Sequence, residues 1–456
     1  MSVPRTTLPA VGPDPSFSLP AVVKTSVPGG PALRVVEHHG VPLIALLLVV
    51  PVASGDDPAD LPGLAALTGD LLDEGAGERR SLELHDAIQR IGGQLDVDTG
   101  FDITVVTLVA LAAHRERALE LLADVAFRPR LEDADVERVR TLRLNRLRQM
   151  RDVPAAVAED AFARHVFGSH PYGHLPIGRV DSLGRLTPDH VRAFHAERFR
   201  PDRAVLVAVG DVTAAEAERA ATQVFAGPAR QPDGAPVADD PRQRATAPDV
   251  PRLVLVDRPG APQSELRVGH LAAARSTPDY YALITLNALL GGQFVSRINL
   301  NLREQKGYTY GARSGFDCRR AAGSFVVQAS VETRATAESV QEVLTELRDV
   351  RGDRPATAQE LDLAQASLTR GFARNFETVE QLARASAQQV AYDLPDDYYA
   401  RFVPNVREVD RATVTRAARQ WLRPDEATVV VVGDRATVAE PLERLGFAPL
   451  VIEEGR

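Results

Sequence analysis

The chain has 456 residues, too many for one ordinary domain and enough for roughly two or three that each bury a core. With 44% hydrophobic and 25% charged residues its composition is that of a globular protein, and a net charge of −9 argues against a nucleic-acid partner. A single cysteine, Cys318, excludes an internal disulfide and a cysteine-built metal cluster within one chain.

The first residues lack the charged-then-apolar pattern of a secretory signal, so a cytoplasmic protein is expected, with the periplasm left open. The most apolar run, residues 41–53, contains two prolines. It falls short of the roughly 18 residues of a membrane helix, which predicts a buried strand and no membrane partner. Residues 82–91 read as a helix closed by Gly92 and Gly93, since glycine accepts the left-handed conformation at a helix end. Residues 95–108 alternate, with Leu95, Val97, Ile103 and Val105 on period-two spacing and a break near Gly100. That pattern predicts a bent strand or a hairpin. His165, His170 and His174 are close in sequence, but Pro171 and Gly173 break any helix that would align them, so loop packing is expected. His190 and His195 stand about 140° apart round a helix and do not face one site. The acidic group Asp70, Asp73 and Glu74 reads as a solvated helix end. Helix starts are expected at Thr187-Pro188, at Thr357 with Glu360, and at Thr378 with Gln381.

An internal repeat runs through the chain. Arg200-Pro201-Asp202 leads through AVLVAV to Gly210-Asp211, and Arg423-Pro424-Asp425 leads through ATVVVV to Gly433-Asp434, at a constant offset of 223 residues. Between the copies, residues 227–252 are rich in Pro, Ala and charge without periodicity, as a linker would be. The expectation is two tandem homologous domains, residues 18–226 and 253–450. Runs of helices between strands favour an α+β layer in each: a mainly antiparallel sheet with helices packed on one face.

Residues 291–315, GGQFVSRINLNLREQKGYTYGARSG, carry the most specific pattern. An apolar, helix-like run reaches Arg303, Gly307 breaks it, and Tyr310 opens a strand-like segment; Asn299 and Asn301 are expected to line the helix surface. With HPYG at residues 170–173 and the two RPD…GD segments, in that order, this resembles the insulinase-like (pitrilysin and mitochondrial processing peptidase) metallopeptidases across most of the chain. The resemblance implies two domains forming half of a clamshell, and a zinc motif H-x-x-E-H on the first long helix. Two histidines four apart share a helix face and bind zinc while the glutamate activates water. The matching positions here are Ala66, Gly69 and Asp70, and the third ligand should fall within residues 143–146, which offer Arg, Leu and Asn. No metal is therefore expected in this chain.

The resemblance further implies that Arg303 and Tyr310 bind substrate and stabilise the oxyanion of peptide hydrolysis in trans. Zinc would sit in a homologous partner subunit bearing H-x-x-E-H, and an unfolded peptide would be held by strand addition in a closed chamber. Tyr308, two positions earlier, is a rival phenol expected on the same strand face. Two other functions stay open: a non-catalytic scaffold or peptide-binding subunit, and an autonomous peptidase with an unusual metal site.

Overall fold

The computed structural model of the protein describes residue 12, residues 18–225 and residues 252–455. The expected linker, residues 227–252, thus lies outside the described residues except for Arg252. The architecture is α+β, built on two six-stranded sheets. In the first, the strands run Val22–Ser26, Ala32–Glu37, Val205–Gly210, Leu43–Val50, Thr104–Leu111, Gln94–Thr99. The second runs Thr309–Cys318, Gly323–Glu332, Gln263–Ala272, Thr428–Gly433, Leu253–Asp257, Leu450–Glu454. Most pairings are antiparallel. Ala32–Glu37 with Val205–Gly210, and Leu253–Asp257 with each of its neighbours, are parallel.

The duplication is visible element by element. Helices Pro188–Arg198 and Arg411–Trp421, and strands Val205–Gly210 and Thr428–Gly433, occupy the same positions at the repeat offset. Both helices start on a side-chain cap: Thr187 accepts from the His190 amide and Asp410 from the Thr413 amide. The apolar run yields the strand Leu43–Val50, buried on both faces because it is central. The alternating segment is a hairpin, with Leu95 opposite Leu108 and Thr99 opposite Thr104. Thr357 and Thr378 make the expected capping boxes with Glu360 and Gln381.

Each half packs its own helices on one face of its sheet. Leu46, Leu48, Val106, Leu108 and Leu206 meet the helices of the first half, and Leu266, Val268, Phe325, Val327 and Val431 those of the second. The opposite faces are covered by exchange. Helix Val379–Ala391, from the second half, packs Leu382, Ala383 and Ala387 on Ala45, Leu47, Val49 and Val207 of the first sheet. Helix Pro154–Phe167, from the first half, packs Ala158, Ala161 and Phe162 on Val254, Val256, Val430 and Val432 of the second. This explains the unbroken valine run of Thr428–Gly433: such a strand is buried on both sides. The two hairpins end the sheets at equivalent edges, Gln94–Thr99 and Thr309–Cys318, and both regions singled out in the sequence lie beside those edges.

Candidate functional site

Helix Leu64–Asp70 carries the three positions aligned with the metal motif. Its start is held by Asp57, whose carboxylate accepts the Gly63 and Ala65 amides at 2.7 Å each. The Asp57 side chain is fully buried, and burial pushes its pKa up to about 7. At the other end the guanidinium of Arg143, on helix Asp133–Met150, takes the place expected of the third ligand. It pairs with Asp70 and donates to the carbonyls of Ala66 at 3.0 Å and Pro176 at 3.1 Å. Position 69 is tight as well. A Cβ added at Gly69 would lie 2.3 Å from the Thr99 hydroxyl on the edge strand, so any side chain there must displace that hydroxyl. With a methyl, a glycine and an arginine-bound aspartate at the three positions, and a cation already at the centre, the residues do not fit zinc.

The remaining candidate ligands are dispersed. His165 Nε2 contacts Glu453 at 2.8 Å, His174 Nδ1 faces the Leu175 carbonyl at 3.1 Å, and His170 Nδ1 accepts from the Tyr172 amide at 3.0 Å. Tyr172 is buried and donates to Asp102, which also accepts the Arg320 amide at 3.0 Å; the HPYG loop thus joins the two halves. His195 is buried against the Ala126 carbonyl while His190 sits at the helix cap. The acidic group is not simply solvated: Asp70, Asp73 and Glu74 face Arg143, His85 and Arg138. Among the described residues, no three His, Cys, Asp or Glu side chains gather as a metal would require.

Around Arg303 the chain is built differently from a plain helix. Arg297–Asn299 is α-helical, but Leu300–Gln305 winds as a π-helix, a form concentrated at functional sites. Gly307, at φ +69°, ends it: the Gly307 amide bonds back to Arg303 and the Tyr308 amide to Leu302. The Arg303 guanidinium lies 4.1 Å over the Phe294 ring and 3.6 Å from Glu304, and its buried Nη1 has no hydrogen-bond partner. Phe294 is itself 65% exposed, beside exposed Val295 and Leu300.

The two tyrosines do not share a face. Tyr308 packs partly against the core, whereas the register break between Thr309 and Ala312 turns Tyr310 outward at 91% exposure. The asparagines are not surface residues either. Asn299 is buried, donating to the Phe294 carbonyl at 2.6 Å and accepting the Ala312 amide at 2.9 Å, so it links the Phe294 loop to the Tyr310 strand. Asn301 donates to Glu342 and Glu346. Both amides satisfy backbone or carboxylate groups supplied by other segments of the chain, which a helical-surface reading could not foresee. A cavity of about 500 Å³ opens beside this segment, lined by Phe294, Asn299, Gly311, Arg313, Gln328 and Ser330 among others. Asp57, Thr99 and Phe294 carried no sequence signal of their own. Their roles follow from what the fold puts beside them.

Comparison with known proteins accords with this geometry. Residues 35–175 match the family described as insulinase (peptidase family M16), and residues 185–368 match the peptidase M16 inactive domain. A Mycobacterium leprae protein named an uncharacterized zinc protease is 28% identical over 397 residues, 86% of this chain and 87% of that one. The alpha subunit of the mitochondrial-processing peptidase of Bos taurus is 24% identical over 384 residues, 76% of this chain and 69% of its own. The crystal structure of a peptidase M16 inactive domain from Pseudomonas fluorescens superposes with a TM-score of 0.81 at 26% identity, covering 91% of this chain and 98% of that one. Two matches to models of one family, which between them reach strands of both sheets, and a shared fold lead to one conclusion: the chain belongs to the insulinase family of peptidases, M16, as a homologue of zinc proteases that lacks the sequence H-x-x-E-H.

Proposed function

We propose that the chain is the metal-free subunit of a two-chain peptidase, supplying Arg303 and Tyr310 to a homologous partner that carries H-x-x-E-H. The observation that carries this reading is the contrast between two sites. The motif helix is filled by Arg143, while Arg303 keeps a nitrogen without a partner and Tyr310 stands almost wholly exposed. A phenol projecting from a sheet edge gains nothing from folding; held in place by a bulge, it is available to another molecule.

In that role the partner supplies the ion and the water it activates. This chain's part is electrostatic and positional. As water adds to a scissile carbonyl, negative charge gathers on its oxygen, and a phenol O–H or guanidinium N–H aimed at that oxygen lowers the barrier. Arg303, with a planar fork of donors pre-set by the Phe294 ring, can hold two acceptors of an extended peptide at once. Exposed Phe294, Val295 and Leu300 would take up apolar side chains of that peptide. Support for pairing comes from one relative named as a subunit, the mitochondrial-processing peptidase subunit alpha.

The test is reconstitution. The chain alone and an H-x-x-E-H-bearing homologue alone should each hydrolyse an unfolded peptide weakly or not at all, and an equimolar mixture should hydrolyse it and elute as a larger species. A stable complex without chelator-sensitive hydrolysis would point to a binding or scaffold subunit instead.

A further inference from the structure

A second cavity, of about 600 Å³, is lined wholly by residues of the second half, away from Arg303 and from the motif helix. It is bounded by helices Tyr280–Leu290, Val379–Ala391 and Tyr398–Glu408, the turn Phe372–Phe376 and the far end of strand Thr309–Cys318. Its volume is that of a small-molecule site, which typically measures roughly 300–1,000 Å³. The walls are aromatic: Tyr280, Phe316, Phe372, Tyr392, Tyr398 and Phe402.

Arg275 lies on this wall, 9% exposed. Its guanidinium sits 3.5 Å over the Tyr280 ring and 5.1 Å from that of Tyr398, and it donates to the Tyr398 hydroxyl at 2.6 Å. That bond uses one of the five N–H donors of the side chain. Among the described residues no carboxylate pairs with it, and no acidic residue lines the cavity. Nor is a neighbouring phenol its counter-ion, since burial pushes the Tyr280, Tyr398 and Tyr399 hydroxyls above their ordinary range and keeps them protonated. With one neutral hydroxyl and ring faces as its near partners the guanidinium is under-compensated, because these offset less than an anion would. Exposed Arg384 at the rim adds charge of the same sign.

We propose that this cavity binds a carboxylate carried on an aromatic or branched apolar body, the anion on Arg275 and the body between the aromatic walls. A fork of free N–H donors matches the two oxygens of a carboxylate, and the flat walls match a ring or a branched chain. Two sources share that chemistry: the C-terminal residue of a peptide and a free organic acid. Binding here is independent of subunit pairing and is measured on this chain alone.

Calorimetric titration of the full chain separates the possibilities. The probes are N-acetyl-phenylalanine, its amide, and a short peptide ending in phenylalanine as free acid or as amide. The acids should bind about tenfold more tightly than the matching amides, the worth of one charge-assisted pair. Tight binding by the peptide acid alone identifies a chain terminus as ligand, and equal binding by the acetylated amino acid identifies a free acid. Arg275→Gln should erase the preference for acids. Should that variant fail to fold, Ala385→Phe provides the check. It fills the cavity from helix Val379–Ala391 with the guanidinium intact, and should abolish binding while leaving the melting temperature unchanged. Equal affinity for acid and amide, no saturation by either, or binding that survives Ala385→Phe would overturn the proposal.

Discussion

Two residues at the edge of the second sheet and one beside the motif helix make the sharpest single-residue tests. Arg303→Ala and Tyr310→Phe should each lower the turnover of the reconstituted peptidase by about a hundredfold, the usual effect of removing one transition-state donor. The melting temperature should change little, because Tyr310 is exposed, the Arg303 pair with Glu304 is loose and the Phe294 ring that Arg303 stacks on is itself exposed. Unchanged turnover in both variants would remove the pair from the mechanism. Asp57 sets a pH dependence instead. Its folded pKa is about 7 against an ordinary 3.8, so the folded state holds the extra proton between those values. Stability from this group is therefore complete below about pH 4 and falls as pH rises toward 7. Asp57→Asn should flatten that part of a melting-temperature-against-pH curve, whereas a parallel curve would show that the carboxyl titrates normally.

At the scale of elements, the contact of helix Leu64–Asp70 with edge strand Gln94–Thr99 limits what position 69 can carry. Glycine inside a helix ordinarily gives way to alanine with a gain of about 1 kcal/mol. Gly69→Ala should instead destabilise, because the new methyl meets the Thr99 hydroxyl. Combining it with Thr99→Gly should recover the loss, and additive effects in a double-mutant cycle would rule out the contact. The π-wound segment is anchored by Arg297, which forms a bidentate pair with Glu360 at 2.6 and 2.8 Å. Burial alone would raise the Glu360 pKa, but the hydrogen bonds from Arg297 and Thr357 outweigh it and hold the carboxyl down at about 2. This group's stabilisation is present above about pH 4.5 and drains away as pH falls toward 2. Glu360→Gln leaves the buried Arg297 charge with only the Arg354 and Pro355 carbonyls as partners, so with the carboxylate partly solvated it should cost about 1–2 kcal/mol at neutral pH in denaturant melts and much less near pH 2.

For the whole molecule, the exchanged helices make each half depend on the other. Removing Val379–Ala391 would bare Ala45, Leu47, Val49, Val207 and Val209 of the first sheet, and removing Pro154–Phe167 would bare the matching valines of the second. Each leucine or valine among them loses about 1.5–3 kcal/mol of burial, together more than a half-chain can spare. Calorimetry should show one unfolding transition for both halves. A fragment of residues 18–225 should be insoluble alone and soluble when co-expressed with residues 252–455. Two well-separated transitions would contradict the interlock. Proton uptake at Glu453, held down to about 2 first by His165 and then by Arg164, adds acid sensitivity at the same seam, since Glu453 lies on the last strand and both partners on the exchanged helix.

Local chemistry was enough to read the repeat, the capped helices, strand structure over residues 95–108 (left open between a bent strand and a hairpin) and the missing H-x-x-E-H. Each depends on spacing within one segment: caps three residues apart, strand alternation, a missing histidine. What lay beyond reach were facts that need two distant segments at once. Arg143 as the cation beneath Asp70, Thr99 crowding position 69, Asn299 bridging Phe294 to Ala312, and Tyr308 and Tyr310 facing different ways all arise when elements far apart in the chain, or a bulge in one strand, are brought into register. The exchange of helices between halves is of the same kind: an amphipathic stripe declares that it will be buried, but only the folded chain decides against which sheet.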